Sequence, residues 1–471
     1  MLKRIIPVIL GSHKDLKVGN AICKELHKYN LKSVIRICSA HKYPTRLLSI
    51  LDNFNNDKQI PLLVTVAGKS NALSALIDGS CQKPVIACPP LKHESMYDLY
   101  SSVSMPSGVA PLVILNPLNA VLAVLKICAL VDPQYRDAVK SIQKRNQNIL
   151  RTEDIRHKYD YEKVEEPTKF VANNLEITVD NNTYYVDKLI RMGKIRDLWS
   201  VVDKNREPSN LMALVATNRL SGFDRQLGVI SRKGEVLNDV SGWWFKQTEH
   251  LVPNHIVTSD LNRVSLVKKC KVFPIEFVVR SYMTGSTQTS IWQNYRKGAR
   301  NYCGHKLRDG YKKNDKLEEV LLTPTTKDEV HDELISESEI LERGIMWKEH
   351  WEQCRDYALT LFKYGQKVCA EKGLILVDTK YEFGLDEDNK VLLIDEVHTP
   401  DSSRYWIQHN YTDRVSQGLE PDYIDKEFVR RWVKQEYSDP YDDSVEITVS
   451  KEMRDKLSNR YLLLRELITG E

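Results

Sequence analysis

No stretch of this chain is both long and purely apolar. The most apolar window, residues 109–131, is interrupted by Pro111, Asn116, Pro117, Asn119 and Lys126. It reads as a buried strand plus a helix rather than a membrane span. The apolar run from Ile5 to Leu10 is too short for the core of a secretory signal and reads as a first strand. An excess of one charge is also lacking. With 68 Lys and Arg against 64 Asp and Glu, the formal net charge is only +4 over 471 residues. That is no nucleic-acid footprint, although it suits anionic small substrates. Cys-x-x-Cys pairs and His-rich spacings are missing too. The nine cysteines, Cys23, Cys38, Cys81, Cys88, Cys128, Cys270, Cys303, Cys354 and Cys369, are odd in number, and several sit inside apolar runs. They read as reduced, buried thiols of a cytoplasmic chain, not as a disulfide framework or a zinc site.

What is present is the composition of a soluble globular protein, 42% hydrophobic and 28% charged. The length calls for two or three domains. Over residues 1–130, RIIPVIL, SVIRIC, PLLVTVA, KPVIACP and APLVILN read as strands. Helical spacing appears at 15–29, 44–54, 70–79 and 118–131. This βα rhythm predicts an α/β doubly wound parallel sheet, three-layered and flavodoxin- or Rossmann-like. A terminal helix to about 150 and a polar connector follow, so the expected domains are 1–158, a linker at 159–171, and 172–471. The second part alternates like antiparallel strands over 177–202 and 211–220, then shows long helical patterns at 336–372 and 421–436. It is expected to be α+β.

Ligands of parallel sheets bind at the carboxyl ends of the strands. Those ends read Gly11-Ser12-His13-Lys14-Asp15, Ser39-Ala40-His41-Lys42, Ala67-Gly68-Lys69-Ser70-Asn71 and Cys88-Pro89-Pro90. Small residues admit a ligand to the backbone, and helix N-termini offer N–H groups to a phosphate. Each segment alone is equally well ordinary βα-turn chemistry. Four of them on one sheet edge point to a phosphorylated small molecule beside an imidazole. GSHKD, SAHK, VAGKSNALS, VIACPPL and SMPSGV, in this order, resemble class II aminoimidazole ribonucleotide (AIR) carboxylase over residues 5–155. The resemblance implies ATP-independent carboxylation of AIR by carbon dioxide to carboxy-AIR (CAIR). His41 would move the proton at the ring carbon, as imidazole can near neutral pH. Ser12 and Asp15 would hold the ribose phosphate portion. Ser39, Lys42, Gly68, Lys69 and Ser70 would line the substrate and carboxylate pocket. Lys14 and Lys69 depart from the family, which has a small residue and often Arg there.

Three segments of the second part carry chemistry. Met192-Gly193-Lys194-Ile195-Arg196 puts two cations on one face if it is a strand. A solvated basic edge strand is the plainer reading. Strand 274–282 carries Glu276 and Arg280 into a glycine turn with Ser286, which is either a phosphate or carboxylate clamp or a core salt bridge. Residues 378–397 form a hairpin by pattern, with Asp378, Lys380 and Glu382 on one face and Asp395 near the end of the second strand. Facing carboxylates need a cation between them, and phosphates with hard oxygen ligands hold magnesium. GKIRDL, NRLSGFD, KGEVLNDVSGWWF, PIEFVVRSYMTGS, TPTTKDEVHD, VDTKYEFG and LIDEVHTPDSSRYW resemble the SAICAR (phosphoribosylaminoimidazole-succinocarboxamide) synthetase family, over about 185–440.

That resemblance implies an ATP-grasp-like fold joining CAIR to L-aspartate with ATP and Mg2+. Lys194, Arg196, Glu276 and Asp395 would serve ATP, and Glu382 and Asp395 the metal. Arg280, Ser286, Lys380, Arg404 and Arg430 would bind CAIR, Lys380 also acting catalytically. Asp224, Lys327, His331 and Asp332 would lie near CAIR and aspartate. Asn218, Gly222 and Leu307-Arg308-Asp309-Gly310 depart from the usual residues.

The two implied reactions are consecutive, the first product being the second substrate. The expected protein is a bifunctional enzyme of purine biosynthesis that assembles as a homo-oligomer, commonly an octamer, through its carboxylase domain. The alternative is a synthetase whose first domain is inactive or differently specific. Nucleic acid and membrane are not expected partners.

Overall fold

A computed structural model describes residues 4–90, 96–167, 170–223, 225–327, 333–442 and 444–470. The chain divides into two compact units, Met1–Asn146 and Gln147–Glu471.

The first unit is built on strands β1 (Ile5–Leu10), β2 (Lys32–Ile37), β3 (Leu63–Val66), β4 (Val85–Ala87) and β5 (Leu112–Val113). All pair in parallel, in the order β2-β1-β3-β4-β5. Helices α1 (Leu16–Lys28), α2 (Pro44–Asn55), α3 (Ala72–Gly79), α4 (Met96–Val103) and α5 (Pro117–Val131) connect and follow them. Strand side chains alternate between faces. Ile6, Val8, Leu10, Val64 and Val66 pack with α1 and α5. Ile9 and Leu63 pack with α2 and α3 on the other face. This is the three-layer arrangement expected from the βα rhythm.

The second unit holds antiparallel sheets. One runs in the order Ile256–Leu261, Val264–Lys268, Pro208–Ala216, Arg196–Asp203, Asn182–Met192, Glu176–Val179. The other is organised by the long strand Leu374–Leu385, paired with Ile275–Tyr282, Val391–Ile394 and Ser403–Ile407. Beneath it the helix Lys348–Glu371 buries Trp351, Leu361 and Phe362 in the unit's main core, Trp351 stacking on Phe277 at 5.2 Å between centroids.

The differences from expectation have local causes. Helix α6 (Gln134–Tyr161) runs past 150, because Ile155 and Tyr159, four apart on one face, enter the second unit's core. The division between the compact units falls at 146/147, ahead of the polar stretch 159–171. The pattern at 336–372 is two helices, Glu337–Glu342 and Lys348–Glu371, parted at Gly344 with φ +64°. At 421–436 the helix begins only at Glu427, whose N–H donates to Asp425 Oδ1 at 2.7 Å. Helices Lys233–Thr248 and Lys451–Thr469 were not anticipated, nor was α4. No helix among the described residues is long and apolar enough to cross a membrane, and the nine cysteines are all free.

Candidate active sites

In the first unit, four loops leave the carboxyl ends of the neighbouring strands β2, β1, β3 and β4. At Gly11, which follows β1, a Cβ would lie 3.1 Å from the Ala67 Cβ, so the small residue lets two of these loops approach. Ser12 accepts from the Lys14 N–H at 3.1 Å and caps a single 3-10 turn that ends on the buried Asp15. After β2, Ser39 Oγ accepts from the Lys42 N–H at 3.3 Å and Ser39 O from the Tyr43 N–H at 2.9 Å. The turn so closed presents His41 and Lys42 to solvent.

After β3, Lys69 has φ +59°, the left-handed conformation, while Lys69 and Ser70 are exposed. Ser101 of α4 holds this loop, donating to Lys69 O at 2.6 Å and accepting from the Asn71 N–H at 3.0 Å. Asn71 caps α3, and a buried network joins it to Ser74, Thr65 and Ser102. All seven expected substrate residues of this unit and His41 thus lie at one edge of the sheet. Ser101 was not foreseen, because α4 follows the proline pair without a pattern of its own.

In the second unit, two cavities of about 930 and 600 Å³ share lining residues that include Lys194, Ser221, Glu276, Lys380 and Lys426. Lys380 Nζ donates to Glu276 Oε1 and Glu382 Oε1, each at 2.7 Å, and Lys327 pairs with the other oxygen of Glu382. Burial opposes the charge of Lys380, but Glu382 and Glu276 outweigh it and hold its pKa well above the ordinary value. Burial likewise raises Glu382, yet Lys380 and Lys327 hold it at about 2. Across the hairpin Glu382 pairs with Ile394, so Asp395 follows directly. Burial, and then the Glu382 carboxylate, push Asp395 up to about 6. These two carboxylates repel, which is the donor set a hard cation relieves, so the residues fit magnesium. No cluster of three or more His, Cys, Asp or Glu side chains assembles a metal site on its own among the described residues.

Beside the second cavity, Asp378 Oδ2 accepts from Arg280 at 3.1 Å and Arg404 at 2.7 Å. Glu427 takes the other side of Arg404 at 3.2 Å and lies 3.8 Å from Arg430. One carboxylate thus bridges two buried guanidiniums that would otherwise repel. Ser286 is buried nearby, its carbonyl accepting from Lys434. The side chains of Asp378 and Glu382 are each 5% exposed, so this is not a solvated charged hairpin.

One expectation is corrected. Lys194 and Arg196 do not share a strand, for Gly193–Ile195 is the turn between strands, closed by Gly193 N–H to Arg196 O at 2.9 Å. A Cβ on Gly193 would sit 2.2 Å from that oxygen, so only glycine fits. Lys194 stays on the turn and Arg196 reaches Glu396 at 2.6 Å and Asp395 at 3.9 Å; both still line the larger cavity. Asp224, His331 and Asp332 lie outside the described residues. Missed from sequence were Ser221, Asp401 and Lys426, which line both cavities, and His255, which lines the larger one. Lys426 stands four residues before the expected Arg430, and that nearness was the available signal.

Residues 189–447 match the family model described as SAICAR synthetase, and residues 5–148 match AIR carboxylase. A phosphoribosylaminoimidazole-succinocarboxamide synthase of Legionella pneumophila (strain Lens) is 49% identical over 279 residues, 59% of this chain and 87% of that protein. The solved SAICAR-synthase from Saccharomyces cerevisiae complexed with SAICAR has 30% identity and a TM-score of 0.50, covering 60% of this chain and 95% of that one. The PurE structure of Treponema denticola has 36% identity and a TM-score of 0.31, covering 32% and 98%. The two units define a bifunctional enzyme of purine biosynthesis, a carboxylase joined to a ligase. The chain belongs to the SAICAR synthetase family and carries an AIR carboxylase domain ahead of its synthetase domain.

Proposed function

We propose that the first unit adds carbon dioxide to AIR without ATP, as the class II enzymes do, and that the second joins the resulting CAIR to L-aspartate at the expense of ATP. In the first unit, ring carboxylation leaves a proton on the carbon that gains the carboxylate. His41, at the tip of its turn, takes that proton and returns it in the reverse direction. Ser12 and Asp15 receive the ribose phosphate portion, while Ser39, Lys42, Gly68, Lys69 and Ser70 line the carbon dioxide side.

In the second unit, Arg280, Arg404, Arg430 and Ser286 bind CAIR, and Lys194 and Arg196 meet the ATP phosphates. Glu276 lies at the junction of the two ligands. Glu382 and Asp395 hold magnesium, which when bound neutralises charge on the transferring phosphoryl group. Lys380, fixed as a cation by two carboxylates, stabilises the same charge from the protein side. The CAIR carboxylate takes the phosphoryl group, and the amine of aspartate then attacks the acyl carbon and displaces phosphate. Asp224, Lys327, His331 and Asp332 serve the CAIR and aspartate end. The protein works in the cytoplasm, as a homo-oligomer assembled through the carboxylase domain.

The observation that carries this reading is the pair of cavities with lining residues in common. A lysine clamped by Glu276 and Glu382 stands in the wall of both, and carboxylate-bridged arginines line the second. The test is a pair of assays on the full chain. AIR and bicarbonate without ATP should yield CAIR, and CAIR, aspartate and Mg-ATP should yield SAICAR. Absence of either product removes that half of the reading.

A further inference from the structure

Asp401 faces more positive charge than it balances. Its Oδ2 lies 3.0 Å from Lys233 Nζ and 3.0 Å from Lys426 Nζ, and its Oδ1 accepts from the Tyr461 hydroxyl at 2.5 Å. The side chains of Asp401, Lys233 and Lys426 are 1%, 0% and 9% exposed. Two ammonium groups against one carboxylate leave one uncompensated buried charge, which is costly. One lysine therefore gives up its proton readily. Lys233 is sealed from both cavities, whereas Lys426 lines both, its Nζ also 3.4 Å from Ser221 Oγ. The groups facing Lys426 are Asp401, Lys233 from the helix Lys233–Thr248, Ser221 from the strand Arg219–Gly222, and Arg430 on its own helix. Burial lowers Lys426, Asp401 opposes, and Arg430 and Lys233 add repulsion, leaving its pKa at about 8. Lys380, held well above the ordinary value, cannot release a proton in this way.

We propose that neutral Lys426 is the proton acceptor for the amine of the amino-acid substrate in the ligation, an inference that rests on the acyl-phosphate reading above. An amino acid arrives as an ammonium ion, whose nitrogen has no lone pair. Lys426 Nζ takes one of its protons. The freed lone pair forms the C–N bond at the acyl carbon. The bond from that carbon to the phosphate oxygen breaks, its electrons leave with phosphate, and phosphate takes the second proton shed by nitrogen. Lys426 then returns its proton to water through the open cavity.

The experiment compares two nucleophiles on the full chain with CAIR and Mg-ATP. Aspartate needs its ammonium deprotonated, while hydroxylamine is already neutral near pH 7 and traps the acyl phosphate as a hydroxamate. Lys426→Met should lower the aspartate-to-hydroxylamine rate ratio by about 100-fold, within the range of general-base catalysis. Wild-type kcat/KM for aspartate should level off above a pH of about 8, while the variant's continues to rise toward the amine's own titration. Lys426→Arg keeps the cation beside Asp401 but has no proton to release at working pH, and should show the same loss of ratio. Recovery of the ratio by Lys426→Arg, or an equal fall with both nucleophiles, overturns the proposal and makes Lys426 a fixed charge. No hydroxamate from the wild-type protein overturns the acyl-phosphate reading itself, and this proposal with it.

Discussion

The two units place their chemistry on opposite kinds of ground. In the first, His41, Lys42, Lys69 and Ser70 stand exposed on loops shaped by backbone hydrogen bonds, small residues and one left-handed lysine. In the second, Asp378 is buried between Arg280 and Arg404, and Glu382 is buried against Lys380 and Lys327. A site made of loop geometry keeps its side chains free to meet a ligand. A site made of interlocked charges is preorganised, and its members are also structural. Variants should therefore separate cleanly by function in the first unit and carry a stability cost in the second.

The largest expected effect is from His41→Asn, which should lower ATP-free CAIR formation by about 10²–10⁴-fold, the usual worth of a proton-transfer group. SAICAR formation from supplied CAIR should be kept. Asp395→Asn should do the reverse, lowering SAICAR formation by roughly 10²–10³-fold while CAIR formation persists. Loss of both activities from either change, in a folded protein, would break the comparison. Asp378→Asn removes the carboxylate that bridges Arg280 and Arg404, and should destabilise the second unit by about 3 kcal/mol as well as raise KM for CAIR. All eight tryptophans lie between Trp199 and Trp432, so intrinsic fluorescence during urea unfolding reports that unit alone. The smallest effect is from Ser101→Ala, which frees the Lys69 carbonyl. It should cost the first unit about 1 kcal/mol and raise KM for AIR about fivefold, a shift that circular dichroism and the AIR assay can each detect.

The parallel sheet was legible because strands buried on both faces read as apolar runs and their loops as short polar motifs. Loop residues such as Ser12 and His41 were legible for the same reason. Helix Lys233–Thr248 was not, since its two glycines, valines and paired tryptophans are poor helix formers whose burial in the main core overrides propensity. The extension of α6 to Tyr161 was hidden by charged residues around Ile155 and Tyr159, which find their contacts only in the fold. In the second site, Glu276, Lys380 and Glu382 were legible as alternating polar positions in apolar strands. The Asp401–Lys426–Lys233 cluster was not, because its members come from segments up to 193 residues apart, and nothing local marks their meeting.

The central claim is that ATP serves the second reaction only. The most direct measurement is the number of ATP molecules consumed per labelled bicarbonate carried into SAICAR by the full chain, from AIR, aspartate and Mg-ATP. One ATP per label is the result expected. Two ATP per label, one for each step, would contradict the account.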